Sequence, residues 1–157
     1  MSNLSQPELP AFGFVAGLSD EDRRLLSGYG EFLPVHPDTN LIEEGHSQDS
    51  LYFIISGRLH VVTDDEGRRV LLGRLGPGDL VGEVNVFDPQ TASATVAAME
   101  FSQVWRLNRA SVDELLKDSP ASAAQLLVAI STQLSRRLRE TNDKVTFIRK
   151  TIGKASL

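Results

Sequence analysis

The chain has no cysteine. That absence excludes a disulfide framework, a thiolate metal site and an iron–sulfur sensor, and it fits a protein of the cytosol. Basic residues are outnumbered, giving a formal net charge of -5, whereas nucleic-acid binders usually carry a basic surface. No apolar run is long enough to span a bilayer. Met1 to Pro10 has no basic region followed by an apolar stretch, so no signal peptide is expected. Histidine is sparse: His36, His46 and His60 are too scattered for a ligand set and are expected at the surface or on edge strands. No Ser–His–acid order, P-loop or dinucleotide fingerprint occurs. No enzyme activity, metal or cofactor is expected.

What is present is ordinary globular material. At 157 residues, with 41% hydrophobic and 24% charged residues, the chain suits one domain with a real core. Ser19-Asp20-Glu21-Asp22 reads as a helix start, with Ser19 as N-cap and acids at the positive helix end. Between about Phe32 and Leu107, short apolar runs alternate with turn residues. The runs include Leu51-Tyr52-Phe53-Ile54-Ile55, Leu59-His60-Val61-Val62, Val70-Leu71-Leu72 and Ala94-Thr95-Val96-Ala97. Between them stand Glu44-Gly45, Ser56-Gly57, Asp65-Glu66-Gly67 and Gly76-Pro77-Gly78-Asp79. Short strands at close, regular spacing predict a compact antiparallel roll or jelly roll.

A long helix follows. Ser111 is read as the cap of a short helix to Leu116, and Ser119-Pro120 opens a helix to about Ile152, with Gly153 as its stop. Leu127, Leu134, Thr141 and Ile148 recur every seven residues, as do Leu138, Val145 and Ile152 at an offset of four. This narrow stripe is flanked by Arg136, Arg137, Arg139, Glu140, Asp143 and Lys144. It fits the seam of a parallel two-stranded coiled coil. A helix packed on its own roll is the alternative.

The ordered series Asn40-Leu41-Ile42-Glu43-Glu44-Gly45, Leu51 to Leu59 with Ser56-Gly57, and Leu75-Gly76-Pro77-Gly78-Asp79-Leu80-Val81-Gly82-Glu83 resembles the cyclic-nucleotide-binding family. Val81-Gly82-Glu83-Val84-Asn85-Val86-Phe87 with Ala92-Ser93-Ala94-Thr95-Val96 resembles its phosphate cassette. The resemblance covers roughly residues 12–150. It implies an α+β fold: an eight-stranded antiparallel β-roll, jelly-roll-like, with short flanking helices and a long C-terminal dimerisation helix. The expected divisions are an N-terminal segment and short helix over 1–30, the roll and following helix over 31–118, and the dimer helix over 119–153. The chain stops at Leu157, which leaves no room for the helix-turn-helix domain of the activator branch, and no DNA binding is expected.

The resemblance also implies a site. Gly82 allows a tight turn and Glu83 accepts from a ribose hydroxyl, although a structural carboxylate satisfying turn amides reads the same. Val84 and Asn85 open a short helix toward the phosphate, Ser93 contacts that phosphate, and Thr95 lies near the base. The slot for the phosphate-binding Arg holds Ala92. A hydrogen bond to a charged group is worth about 1.5–3 kcal/mol, so cyclic AMP affinity is expected to fall by at least one to two orders of magnitude unless Arg106 or Arg74 compensates. In the activator branch a Thr and a Ser of the dimer helix cover the adenine; Thr141 matches and Asn142 stands for the Ser. The implied function is a non-enzymatic, cytoplasmic, homodimeric regulatory module with a cyclic nucleotide effector, cyclic AMP first, and a protein partner. A ligand-free dimeric scaffold, a cyclic-AMP protein with a compensated phosphate site, and a detached sensor subunit of an enzyme or transporter remain open.

Overall fold

A computed structural model of the chain describes residues 6–155; residues 1–5 of the expected N-terminal segment lie outside the described residues. Eight strands form two antiparallel four-stranded sheets. The first has the order β1 (Glu31–Val35), β8 (Ser102–Asn108), β3 (Ser50–Ser56), β6 (Leu80–Val81). The second has the order β2 (Asn40–Ile42), β7 (Thr95–Ala98), β4 (Leu59–Asp65), β5 (Arg68–Leu75). This is the expected β-roll.

Strand β3 explains why the roll carries a helical layer. Its residues from Ser50 to Ile54 are buried, so both faces of the strand are covered. Side chains alternate between the faces of a strand. Tyr52 and Ile54, with Val104 of β8, face the interior between the sheets and meet Val35, Ile42, Leu59 and Val96. Leu51 and Phe53, with Trp105 and Leu107 of β8, face outward and need a second cover. The helices supply it.

That cover is assembled from both ends of the chain. A 3-10 turn (Gly13–Val15) and α1 (Asp20–Ser27) deliver Val15 and Leu26. Ser19 caps α1 by accepting from the Asp22 N–H at 3.1 Å, as the sequence predicts. Helix α3 (Arg109–Asp118) begins where β8 ends. Its cap is Asn108 rather than Ser111: the Asn108 side chain accepts from the Ser111 N–H at 2.8 Å, which places the helix cap three residues earlier than expected.

Helix α4 (Pro120–Ala155) follows directly and divides by function along its length. Ala123, Leu126 and Ile130, spaced by three and four, are buried on the roll. Leu134, expected in the dimer seam, packs on the edge of the same core. Beyond it the helix leaves the roll, and Leu138, Val145 and Ile148 are more than two-fifths exposed. The reading of a helix packed on its own roll therefore holds for the first half. That half covers the roll with Ala123, Leu126 and Ile130, a stripe beside the heptad, joined by Leu134 of the heptad itself. Gly153 does not stop the helix. A glycine terminates a helix by entering the left-handed region, and Gly153 is helical, with α4 continuing to Ala155. No helix among the described residues is long and apolar enough to cross a membrane.

Candidate functional site

Strand β6 is two residues long and ends in a sharp turn at Gly82. Gly82 adopts φ of 80°, in the left-handed region, and a Cβ there would lie 2.5 Å from the Ser50 carbonyl oxygen. Only glycine fits such a position without strain. The turn leads into α2 (Glu83–Phe87) and directs its first residue, Glu83, inward, where it is buried.

Beside this turn lies a cavity of about 390 Å³. Its wall is aliphatic: Ile42 of β2, Val61 of β4, Val81 of β6 and Val96 of β7. Gly82, Glu83, Val84 and Asn85 close one side, and the loop from Gln90 to Ala94 closes the other. That loop is anchored to the segment before β3. The Ala92 N–H donates to the His46 carbonyl at 2.9 Å, and the Gly45 N–H donates to the Ala92 carbonyl at 2.8 Å. Ala92 is thereby fixed with its methyl group buried against the cavity.

The carboxylate of Glu83 has a partner that the sequence reading did not identify. Arg137 of α4 donates to Glu83 Oε1 and also to the Leu80 carbonyl oxygen. The Glu83 side chain is 5% exposed and that of Arg137 35%. A charge-assisted pair at this position links the wall of the cavity to the middle of α4. Arg137 lies four residues before Thr141, on the same helical face, but nothing in the sequence marks that face as the one turned toward Glu83. Arg137 was read as an exposed flank of a coiled coil because nothing in the sequence fixed where the roll meets the helix.

Six of the nine ligand-site residues line the cavity together: Gly82, Glu83, Val84, Asn85, Ala92 and Ser93. Thr95 does not. Alternation along β7 sends Ala94 and Val96 into the cavity and turns Thr95 to the opposite face. There its Oγ1 accepts from the Glu44 N–H at 3.0 Å, beside a separate cavity of about 480 Å³. Thr141 and Asn142 are exposed on α4 and do not line the cavity. Of the two possible compensating cations, Arg106 is turned elsewhere, donating to Ser50 Oγ at 3.1 Å and facing Glu31. Arg74 lines an adjoining cleft of about 630 Å³ with Arg136, Arg137 and Glu140; the cleft shares Val61 and Val81 with the cavity. Among the described residues, the cavity wall contains no Lys, Arg or His, and Glu83 is its one ionisable residue.

The second cavity has its own carboxylate. Glu44 accepts from the Thr63 hydroxyl at 2.6 Å and from the Asp64 N–H at 3.0 Å. These bonds, the Thr63 contact foremost, hold its carboxyl below the ordinary carboxylate range. No group of three or more His, Asp or Glu residues suited to a metal ion occurs among the described residues.

Known proteins resemble this chain in sequence and fold. The sequence model of the cyclic nucleotide-binding domain matches residues 32–119, more than half of the chain. The cAMP-activated global transcriptional regulator CRP of Salmonella typhimurium is 32% identical over 109 residues, covering 68% of this chain and 50% of that protein. The CRP-like cAMP-activated global transcriptional regulator of Mycobacterium tuberculosis is 33% identical over 103 residues, covering 65% of this chain and 44% of that protein. The chain thus spans about half the length of the curated relatives it matches. Among solved structures, a cyclic nucleotide-binding domain from Methylobacillus flagellatus superposes with a TM-score of 0.76 at 26% identity, over 81% of this chain and 72% of that one. The catabolite activator protein of Thermus thermophilus gives 0.72 at 26% identity, over 86% and 62%. With the two-sheet roll, the Gly82–Glu83 turn and the long C-terminal helix in place, the chain belongs to the cyclic nucleotide-binding domain family.

Proposed function

We propose that the chain is a non-enzymatic regulatory module that takes a cyclic nucleotide or related small ligand in the roll cavity and signals through α4 as a homodimer. The observation that carries this reading is the Glu83–Arg137 pair. A ligand hydroxyl that bonds Glu83 competes with, or adds to, a contact made by α4. Binding then changes how firmly the helix is held against the roll. A ligand shifts such an equilibrium only by its differential affinity for the two helix positions, and Glu83 supplies that difference. Cyclic AMP itself binds weakly, because Ala92 supplies no charge to its phosphate. The exposed positions Leu138, Val145 and Ile148 fit a seam between two copies, and Thr141 and Asn142 reach a ligand across that seam. The module acts in the cytoplasm on a protein partner, without contacting DNA itself.

One observation favours the rival reading of a ligand-free scaffold: Glu83 is already satisfied by Arg137 with the cavity open. Titration calorimetry with nucleotides and nucleosides, on the wild type and on Glu83→Ala, separates the two. The regulatory reading expects heat with at least one compound and its loss in the variant. Silence with every compound supports the scaffold. Sedimentation tests the dimer independently, and a monomer there removes the helix seam from the proposal.

A further inference from the structure

The charge inventory of the cavity says more about its ligand than the shape does. A cyclic phosphate carries a full negative charge, and moving it from water into an apolar wall is costly unless a cation or a dense set of donors receives it. Among the described residues, no cation lines this cavity. The methyl of Ala92 is buried in the cavity wall, with Ala94 and Val96 beside it, so that part of the wall is hydrocarbon. The guanidinium bonded to Glu83, that of Arg137, is committed to it and to the Leu80 carbonyl, and that of Arg109 to Asp113 and the Val86 carbonyl. Arg74 and Arg136 line the outer cleft instead. Helix α2 brings no relief. It is five residues long, and the acid in its first turn is Glu83 itself, which offsets the positive end that an anion would seek.

The groups that remain are neutral, apart from one acceptor. Asn85, Gln90, Thr91 and Ser93 offer amides and hydroxyls, which pair with hydroxyls and ring nitrogens. Glu83, held by Arg137 through Oε1, keeps acceptor capacity for a donor on the ligand. The aliphatic side chains of Ile42, Val61, Val81 and Val96 present a face for a flat ring. At about 390 Å³ the cavity is within the range of small-molecule sites.

We infer that the cavity is selective for an uncharged ribonucleoside over the corresponding cyclic or linear monophosphate. Sugar hydroxyls donate to Glu83, and the heterocycle rests on the aliphatic wall. This deepens the regulatory reading and rests on its premise that the cavity takes a nucleotide-like ligand. The substitution at position 92 is then a change of specificity rather than a loss of the site.

The test is titration calorimetry of the full chain against adenosine, guanosine and inosine, each beside its 3′,5′-cyclic and 5′-monophosphate, repeated on Ala92→Arg. The expected result is that at least one nucleoside binds the wild type ten times or more tightly than its phosphates. Ala92→Arg then raises cyclic nucleotide affinity about ten- to hundredfold and does not improve nucleoside binding. If the wild type binds a phosphate as tightly as its nucleoside, the selectivity is refuted and the regulatory reading survives. If the wild type binds neither class but Ala92→Arg binds a cyclic nucleotide, the nucleoside assignment is likewise refuted, although the cavity retains its nucleotide shape. If neither protein binds either class, both readings fall. The wild-type comparison decides the selectivity even if the variant does not fold.

Discussion

Removing the guanidinium of Arg137 tests the link between cavity and helix most directly. In Arg137→Ala the Glu83 carboxylate, 5% exposed, loses its charged partner. Breaking a fully buried ion pair from one side typically costs roughly 3–5 kcal/mol. Arg137 is 35% exposed, so water enters the space its side chain leaves and recovers part of that cost. Hydrogen bonds to charged groups are worth about 1.5–3 kcal/mol each, and the Leu80 carbonyl loses one as well. The expected loss is about 2–3 kcal/mol, between the exposed and buried limits. With a urea slope near 2 kcal/mol/M, this lowers the unfolding midpoint by about 1–1.5 M. The melting temperature falls by roughly 4–12 °C for a domain of this size.

The measurement is urea denaturation at several protein concentrations, because association adds a concentration-dependent term to stability. A double-mutant cycle completes it. Glu83→Gln keeps the shape of the side chain and removes its charge, so in that background Arg137→Ala should cost at least 1 kcal/mol less, the coupling scale of contacting residues. A single-variant loss under about 0.5 kcal/mol, the size of an ordinary surface substitution, would refute the reasoning. A cycle with no coupling would refute it too, since the Leu80 carbonyl alone would then account for the whole role of Arg137.

Other outcomes follow from the same geometry. Glu44 is held below the ordinary carboxylate range, so its ionised form stabilises the fold above that range and the contribution is lost as pH falls through it. Wild type minus Glu44→Gln, followed as the urea midpoint against pH, should be positive and flat near neutrality and should shrink on acidification; a difference that grows in acid contradicts the assignment. Ile130→Ala, at a buried position of α4, should cost about 2–5 kcal/mol. Leu138→Ser, at an exposed position of the same helix, should leave the far-ultraviolet circular dichroism spectrum unchanged and convert dimer to monomer in sedimentation. If Leu138→Ser instead unfolds the chain and Ile130→Ala does not, the division of the helix is wrong.

The extent to which this molecule could be read from its sequence varied with the range of the interactions involved. Ser19 as a helix cap, the glycine-marked turns and the sites of the strands depend on neighbours a few residues away, and local pattern sufficed. The Gly82–Glu83 turn was legible through the ordered series around it, which resembles the cyclic-nucleotide-binding family; the positive φ of Gly82 is the physical reason a glycine stands there. Thr95, expected near the base, lies on the face of β7 turned from the cavity, and a strand shifted by one residue exchanges its two sides. The irregular pairing of Asn40 and Ile42 with β7 shows why local pattern does not fix that phase. Asn108 was missed as a cap because it also ends β8, and a residue serving two elements carries the signal of only one. Arg137 was hidden for another reason. Its partner lies 54 positions away, and on a helix rich in arginine nothing local distinguishes the one that turns inward.

That hidden pair changes what the long helix must be. A heptad stripe alone describes an element that meets only its twin, and in that case the roll would be a passenger. Here the first half of α4 is part of the roll's own core through Leu126 and Ile130, and its middle is tied to the cavity by Arg137. On the proposed reading, part of the helix beyond Leu134 meets a second copy. Among the described residues, the Arg137–Glu83 pair is the ion pair that joins α4 to the roll, so on that reading a change in the pair changes how firmly the helix is held. The cavity holds the other end of that pair. On the proposed reading, a ligand needs no long path through the protein to reach α4, since Glu83, which it would touch, is bonded to Arg137 of that helix.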